Sequence, residues 1–378
     1  MNRSPVLSVK MLFCFWLMLI SWSGRTQDKK LFSLLSPSST GIDFRNQIVE
    51  NQKFNALNNQ NLYNGGGVAV GDINNDGLDD IYFNSNMGLN QLYLNLGDLK
   101  FKNITASAGV SGREGWKSGV TMVDINGDHL LDIYVCYSGK TDPERRRNQF
   151  FINKGDLTFE DKAKEYGLDA NAYSTHAAFL DYDLDGDLDM FLLTTNVKVI
   201  HEIEYKQVRK ATHPYAGDKL FRNDNGHFTE VTESAGILSN ALGFGLGVAV
   251  SDFNKDGWPD IHVSNDYMEP DYLYINNKNG TFTNKLSESL QHISQFSMGS
   301  DVADINNDAW PDLFTTDMLP EDNKRQKLLY GPENYEQYAL QVMNGFHFQN
   351  MRNMLHLNNA NGTFSEIGQL AGISNTDW

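Results

Sequence analysis

An aspartate-rich loop between two short β-type runs recurs five times in this chain, beginning at Asp72, Asp124, Asp181, Asp252 and Asp304. Such self-similarity constrains the architecture before any single element is assigned, because each copy folds alike and buries its apolar faces against its neighbours. The run leading in reads Gly-Val-Ala-Val-Gly-Asp at 67–72, Gly-Val-Thr-Met-Val-Asp at 119–124 and Gly-Val-Ala-Val-Ser-Asp at 247–252, with looser copies at 177–181 and 300–304. The run leading out is Ile81-Tyr82-Phe83, Ile133-Tyr134-Val135, Met190-Phe191-Leu192, Ile261-His262-Val263 or Leu313-Phe314-Thr315. A third run closes on Asn95, Asn153, Asn223, Asn276 or Asn358, and after a glycine-containing turn a fourth opens at Phe101, Phe159, Phe228, Phe282 or Phe364. Turns such as Asn279-Gly280 and Asn361-Gly362 favour a type I′ hairpin, which needs positive φ at both central residues. Each unit therefore predicts four short strands, A to D, in two hairpins.

Loop starts lie 52, 57, 71 and 52 residues apart. Four strands at that period predict an all-β fold, a β-propeller with five blades present. Strand A is rich in Gly, Ala and Ser, which suits the innermost strand, where blades converge on the axis. A β-solenoid or a string of independent modules is the alternative. The spacing that carries Val110, Leu168 and Ile237 to the next loop would carry Ile373 to a sixth loop beyond Trp378. The sequence thus reads as an incomplete propeller over residues 40–378, part of a seven- or eight-bladed ring, with a closed five-bladed ring as the rival. Residues 40–44 are placed to pair with a last blade.

The loops themselves predict a metal. Counting the first aspartate as position 1, positions 1, 3, 5 and 9 are Asp72, Asn74, Asp76 and Asp80 in loop 1, and Asp124, Asn126, Asp128 and Asp132 in loop 2. They are Asp181, Asp183, Asp185 and Asp189 in loop 3, Asp252, Asn254, Asp256 and Asp260 in loop 4, and Asp304, Asn306, Asp308 and Asp312 in loop 5. Calcium takes about six to eight hard oxygen ligands, and odd positions of a tight turn converge on one ion while position 7 offers its carbonyl. That position holds Leu78, Leu130, Asp187, Trp258 or Trp310. An EF-hand would need a bidentate Glu at position 12, where Phe83, Val135, Leu192, Val263 and Thr315 stand instead. The plain alternative is an acidic β-turn. A turn needs only one or two Asx residues, whereas the five loops concentrate 18 carboxylates that repel one another unless a cation neutralises them. Position 6 is glycine in loops 1, 3 and 4 but His129 and Ala309 in loops 2 and 5. If that position needs positive φ, a β-carbon there costs about 1 kcal/mol. Loops 2 and 5 are therefore expected to bind more weakly or to be distorted.

Charge and the amino terminus set the setting. A net charge of -17 argues against nucleic acid, whose recognition needs a basic surface. Arg3 and Lys10 flank the apolar run from Met11 to Ile20, and Ser21-Trp22-Ser23 offers a cleavage site, so residues 1–23 read as an export signal and 24–39 as a linker. Ten apolar residues fall short of the roughly 20 that span a bilayer, so no transmembrane span is expected after cleavage. With Cys14 removed in the signal, Cys136 has no partner for a disulfide, and calcium becomes the candidate cross-brace.

Strand direction alternates, so the A–B loops share a face with the C–D hairpins, and the B–C and D–A connections share the opposite one. All the extra length lies in the B–C connections at 138–147, 194–218 and 316–353, and loops held by a rigid scaffold are where binding resides. Arg145-Arg146-Arg147 is either an anion site or a solvated charge run. His201 and His213 share an insertion without an acid or nucleophile at a telling spacing. The stretch from Asp322 through Tyr330, Tyr335 and Tyr338 to Phe346 has helix-like composition and either contacts a ligand or covers a core edge.

With Asp-x-Asn/Asp-x-Asp-Gly-x-x-Asp-Ile following Gly-Val-Ala-Val, the units resemble FG-GAP/VCBS repeats, the blades of integrin α-subunit propellers. Residues 41–110 are similar to the start of exported bacterial proteins of the cartilage-acidic-protein-like family, which often end in an ASPIC/UnbV domain. The resemblance implies a calcium-binding propeller outside the cytoplasm, periplasmic, surface-bound or secreted, in which adhesion or binding of a protein or glycan is more usual than catalysis. A propeller enzyme acting on extracellular polysaccharide, with catalytic residues on the B–C insertions, is the other function class. A central cluster of His, Tyr, Arg and carboxylates would favour it.

Overall fold

The computed structural model describes residues 31–52, 54–59, 62–197, 208–329 and 334–376. The expected signal at 1–23 lies outside them. Residues 31–40 belong to a small unit of their own that ends in one helical turn, Pro37–Thr40, whose Ser39 and Thr40 amides donate to the Ser36 carbonyl.

From Gly41 onward the chain forms a second unit, built of five four-stranded antiparallel sheets. Blade 1 comprises β1 (Val68–Gly71), β2 (Asp80–Phe83), β3 (Gln91–Asn95) and β4 (Phe101–Asn103). Blade 2 comprises β5 (Trp116–Val123), β6 (Asp132–Ser138), β7 (Gln149–Asn153) and β8 (Phe159–Asp161). In blade 3 the strands are β9 (Ser174–Leu180), β10 (Asp189–Thr194), β11 (Lys219–Asn223) and β12 (Phe228–Glu230). Blade 4 follows with β13 (Gly245–Ser251), β14 (Asp260–Asn265), β15 (Tyr272–Asn276) and β16 (Phe282–Asn284), and then the two-residue β17 (Ile293–Ser294). Blade 5 is β18 (Gly299–Ala303), β19 (Asp312–Thr316), β21 (Met354–Asn358) and β22 (Phe364–Glu366), with β20 (Gln349–Asn350) in the insertion. Each sheet pairs its strands in chain order, so every blade is an up-and-down meander, as the repeat predicts.

The core lies between blades. Side chains alternate across a strand, and β6 sends Ile133, Val135 and Tyr137 toward blade 1 but Tyr134 and Cys136 toward blade 3. In the same way Met190 and Leu192 of β10 face blade 2, while Phe191 and Leu193 face blade 4. Both faces of these strands are buried, which is why their sequences are apolar throughout rather than alternating with polar residues.

Innermost strands pack side by side, β1 on β5, β5 on β9, β9 on β13 and β13 on β18. A β-carbon on Gly119 would sit 2.3 Å from the Thr175 carbonyl oxygen, and one on Gly247 2.8 Å from Gly299 Cα, so the glycines of strand A permit the close approach. Backbone and hydroxyl bonds stitch the same seam: Gly67 N–H donates to Ser118 O at 2.6 Å and Thr121 Oγ1 to Ala177 O at 2.7 Å.

A second inter-blade link runs through the asparagine ending strand C. Asn153 Nδ2 donates to Ile73 O, Asn276 Nδ2 to Tyr182 O and Asn358 Nδ2 to Phe253 O, each at 2.8 Å. Each acceptor is position 2 of the preceding blade's acidic loop, so one blade holds the loop of the one before it. Position 2 is buried in loops 1 to 4, whereas Ile305 in loop 5 is 49% exposed. Residues 41–44 lie against blade 1. Phe44 stacks on Phe83 at 4.8 Å, Asp43 accepts from the Tyr93 hydroxyl at 2.8 Å, and Gly41 faces the Phe101 carbonyl as Gly167 faces that of Phe228.

Candidate metal centre: the acidic loops

All five loops share one hydrogen-bonded design. The position 1 carboxylate accepts the amides of positions 5 and 6: Asp252 takes Asp256 N at 2.9 Å and Gly257 N at 2.7 Å, and Asp304 takes Asp308 N at 3.0 Å and Ala309 N at 2.8 Å. Asp72, Asp124 and Asp181 do the same. Position 5, whether Asp76, Asp128, Asp185, Asp256 or Asp308, accepts the amide of position 7, namely Leu78, Leu130, Asp187, Trp258 or Trp310. These bonds curl the chain so that odd positions share one side.

Position 6 does need positive φ, at +84° for Gly77, +99° for Gly186 and +88° for Gly257. His129 and Ala309 adopt it too, at +68° and +69°. Loops 2 and 5 keep the hydrogen bonds of the others, so they are strained but not distorted, which corrects half of that expectation. Position 4 is also left-handed in every loop, at Asn75, Gly127, Leu184, Lys255 and Asn307. The alignment of the five copies hides this, because only loop 2 carries glycine there.

Position 9 plays a part that ligand counting missed. Asp80, Asp132, Asp189, Asp260 and Asp312 are almost wholly buried. In each, one oxygen accepts the amide of position 2 and the other accepts the amide of the asparagine ending strand C. For Asp189 these are Tyr182 N at 3.0 Å and Asn223 N at 2.8 Å, and for Asp260 Phe253 N at 2.9 Å and Asn276 N at 2.8 Å. Asp80, Asp132 and Asp312 repeat the pattern. The residue thus ties the loop to strand C before any ion is considered. Burial pushes the pKa of Asp132 up to about 6 and those of Asp189 and Asp260 up to about 7, against the downward pull of the two amides.

Loop 3 fits a cation best. One oxygen from each of Asp181, Asp183 and Asp189 lies within 4.8 Å of the others. Asp183 Oδ1 and Asp187 Oδ1 are buried with no hydrogen-bond partner. Burial first, then repulsion by neighbouring carboxylates, raises the Asp183 pKa, and burial leads the rise at Asp187. An all-oxygen, carboxylate-rich set suits a hard cation such as calcium rather than a thiophilic metal. In loops 1, 2, 4 and 5 an amide intervenes: Asn74, Asn126, Asn254 and Asn306 each donate Nδ2 to the position 5 carboxylate at 2.9 to 3.0 Å. Loop 4 also has Lys278 Nζ at 3.3 Å from Asp256, a cation supplied by the chain itself.

The opposite face holds the insertions. Helices Asn323–Leu329 and Asn334–Met343 form in the longest one, as its composition predicts. Its Phe346 and Gln341 are buried, Gln341 against Met268 of blade 4, while Tyr335 and Met343 are 79% and 76% exposed. It therefore covers a core edge on one side and presents apolar side chains on the other. Tyr330 and His201 lie outside the described residues, and His213 stacks on Tyr173 at 5.9 Å. The arginine run is neither a free anion site nor a solvated strip. Arg146 is buried between the rings of Tyr173 and Tyr215 at 4.5 and 4.6 Å, Arg147 pairs with Glu144 and Asp169, and Arg145 pairs with Glu114.

Comparison with known proteins agrees with this architecture. An FG-GAP-like repeat profile matches residues 72–135, 211–263 and 252–315. Cartilage acidic protein 1 of Xenopus tropicalis is 31% identical over 209 residues, covering 54% of this chain and 29% of the relative. The Homo sapiens protein of that name is 29% identical over 224 residues, covering 59% of this chain and 31% of the relative. The chain thus spans about a third of the length of the curated relatives it matches. A solved structure of the V. cholerae biofilm matrix protein Bap1 aligns over 68% of this chain and 35% of its own at 14% identity, with a TM-score of 0.34. Among the described residues no helix is long and apolar enough to cross a membrane. The chain thus carries FG-GAP-like repeats over residues 72–135 and 211–315 and is similar over part of its length to cartilage acidic protein 1.

Proposed function

We propose that this chain is an exported β-propeller module, braced by calcium in its acidic loops, that binds an extracellular protein or glycan without catalysis. The observation that carries the reading is the unpaired carboxylate oxygens of Asp183 and Asp187 in a loop whose acids already converge. A buried acceptor with no donor costs about 1–3 kcal/mol, and a bound cation removes that cost. When bound, calcium supplies charge neutralisation and cross-bracing; Asp181, Asp183, Asp185 and Asp189 would hold it with the Asp187 carbonyl. The longest insertion, with its exposed Tyr335 and Met343, lies on the opposite face, which supports ligand binding there.

A panel of extracellular proteins and glycans, screened against the immobilised chain with calcium and with chelator, tests the function. A ligand whose binding is lost in Tyr335→Ala/Met343→Ala, with the melting midpoint unchanged, supports the face assignment. Binding that survives that double variant but is abolished by exposed-residue changes in the C–D hairpins would overturn it.

A further inference from the structure

Strands β1, β5, β9, β13 and β18 begin around a shared cavity of about 480 Å³ on the face opposite the acidic loops. That volume lies within the usual range of small-molecule sites, about 300–1,000 Å³. Its wall includes Tyr63, Trp116, Ser118, Ser138, Thr175 and His176, and among the described residues that line it there is no Asp, Glu, Lys or Arg. A charged ligand would lose hydration there without gaining a counter-charge.

The hydroxyls are unequal. Ser118 Oγ donates to Ser174 O at 2.7 Å and Thr175 Oγ1 to Gly245 O at 2.9 Å, so their protons are spent on the backbone and their lone pairs remain for a donor. Ser138 is 3% exposed, and its Oγ has no partner. A hydroxyl buried without a partner, at the wall of a cavity, is free both to donate and to accept. Burial lowers the His176 pKa, which leaves its imidazole neutral at pH 7 with one donor and one acceptor. Two aromatic rings complete the wall: Trp116 is buried against Phe54 at 5.2 Å, and Tyr63 is two-thirds exposed with its hydroxyl held by Glu50.

We propose that this cavity binds a neutral saccharide, a mono- or disaccharide unit at the end of an oligosaccharide. A sugar presents hydroxyl donors around its rim and C–H groups on its face, which match the acceptor-rich hydroxyl wall and the aromatic rings respectively. Gly66 in the wall lets the backbone pack closely there, because a β-carbon on it would come within 2.1 Å of the Asn84 carbonyl oxygen. This site rests on the binding function proposed above and names its ligand class.

A neutral and acidic oligosaccharide array, followed by calorimetric titration of the best neutral binder into the full chain with calcium, reads the proposal directly. Ser138→Ala removes an unpaired hydroxyl and Tyr63→Ala an exposed ring, so both variants are expected to fold. Each should weaken neutral-saccharide binding about tenfold, the equivalent of one hydrogen bond or ring contact. Saccharide binding unchanged in both variants, or confined to acidic glycans, overturns the proposal. Binding of a protein ligand that depends on Tyr335 and Met343, with no saccharide bound, overturns this site and leaves the binding function standing. No ligand of either kind overturns both.

Discussion

Removing one asparagine from the seam between blades should cost far more than removing its counterpart in blade 1. Asn276 Nδ2 donates across the seam to Tyr182 O at 2.8 Å and within its blade to Pro259 O at 3.2 Å, while its Oδ1 accepts Lys278 N at 2.8 Å. The side chain is 3% exposed, so Asn276→Ala strips the buried Tyr182 carbonyl and two part-buried groups of their partner. At about 1 kcal/mol per bond, and more where a buried group is left unsatisfied, the loss is about 3 kcal/mol. Asn95 makes a single exposed bond to Asp79 O and accepts Gly97 N, both inside blade 1, so Asn95→Ala should cost about 1 kcal/mol. Asn276→Asp sharpens the test. It keeps the acceptor for Lys278 N but turns a second oxygen toward two carbonyls, so it should be no better than alanine. Urea unfolding of each variant at saturating calcium measures these differences. Equal costs for Asn95→Ala and Asn276→Ala would refute the idea that the inter-blade bond carries stability.

Two further outcomes follow from the same geometry. Asp218 stands where blades 1, 2 and 5 have Asn90, Asn148 and Asn353; its Oδ1 accepts Thr194 N at 2.9 Å, its Oδ2 has no partner, and burial pushes its pKa up to about 7. A carboxyl whose folded pKa is raised destabilises the fold when ionised, so its penalty grows as pH rises from the unfolded value toward 7. Asp218→Asn should therefore raise stability by about 1–2 kcal/mol at pH 8 and by little at pH 5; a gain that does not depend on pH in thermal melts would contradict this. Ala309→Gly and His129→Gly should each stabilise by about 1 kcal/mol, because both residues sit at positive φ. Destabilisation of both in calcium-loaded melts would show that the β-carbon is tolerated there at no cost.

Much of the fold was legible because the repeat is written five times. Loop spacing and the small residues of strand A each have a structural counterpart in a blade or a close inner seam; the C–D hairpins form as well, but not as type I′ turns, because positive φ falls on Lys278 and Gly280 and on Ala360 and Gly362, not on Asn279 or Asn361. The closing asparagine was visible in every copy, but its reach into the preceding loop was not, because a single unit contains no neighbour. The structural share of position 9 was hidden for the same reason: only the folded blade brings Asn276 N and Phe253 N to the two oxygens of Asp260. Left-handed backbone at Leu184 and Lys255 had no glycine to announce it. The Arg145–Arg147 run misled because charge count says nothing about which guanidinium turns inward; Arg146 does so because Tyr173 and Tyr215, remote in sequence, offer it two ring faces. The central cavity draws residues from all five blades, so no local motif marks it.

The central claim is that the acidic loops are calcium braces, with loop 3 the strongest. The most direct measurement is the thermal unfolding midpoint of the chain, first stripped with chelator and then titrated with calcium, for the natural sequence and for Asp183→Ala. Each site that binds the folded state alone adds about 2.7 kcal/mol when free calcium is a hundredfold above its dissociation constant. With calcium braces in the loops, the midpoint climbs with free calcium, and it climbs less in Asp183→Ala. A midpoint that stays the same from chelator to millimolar calcium would contradict it.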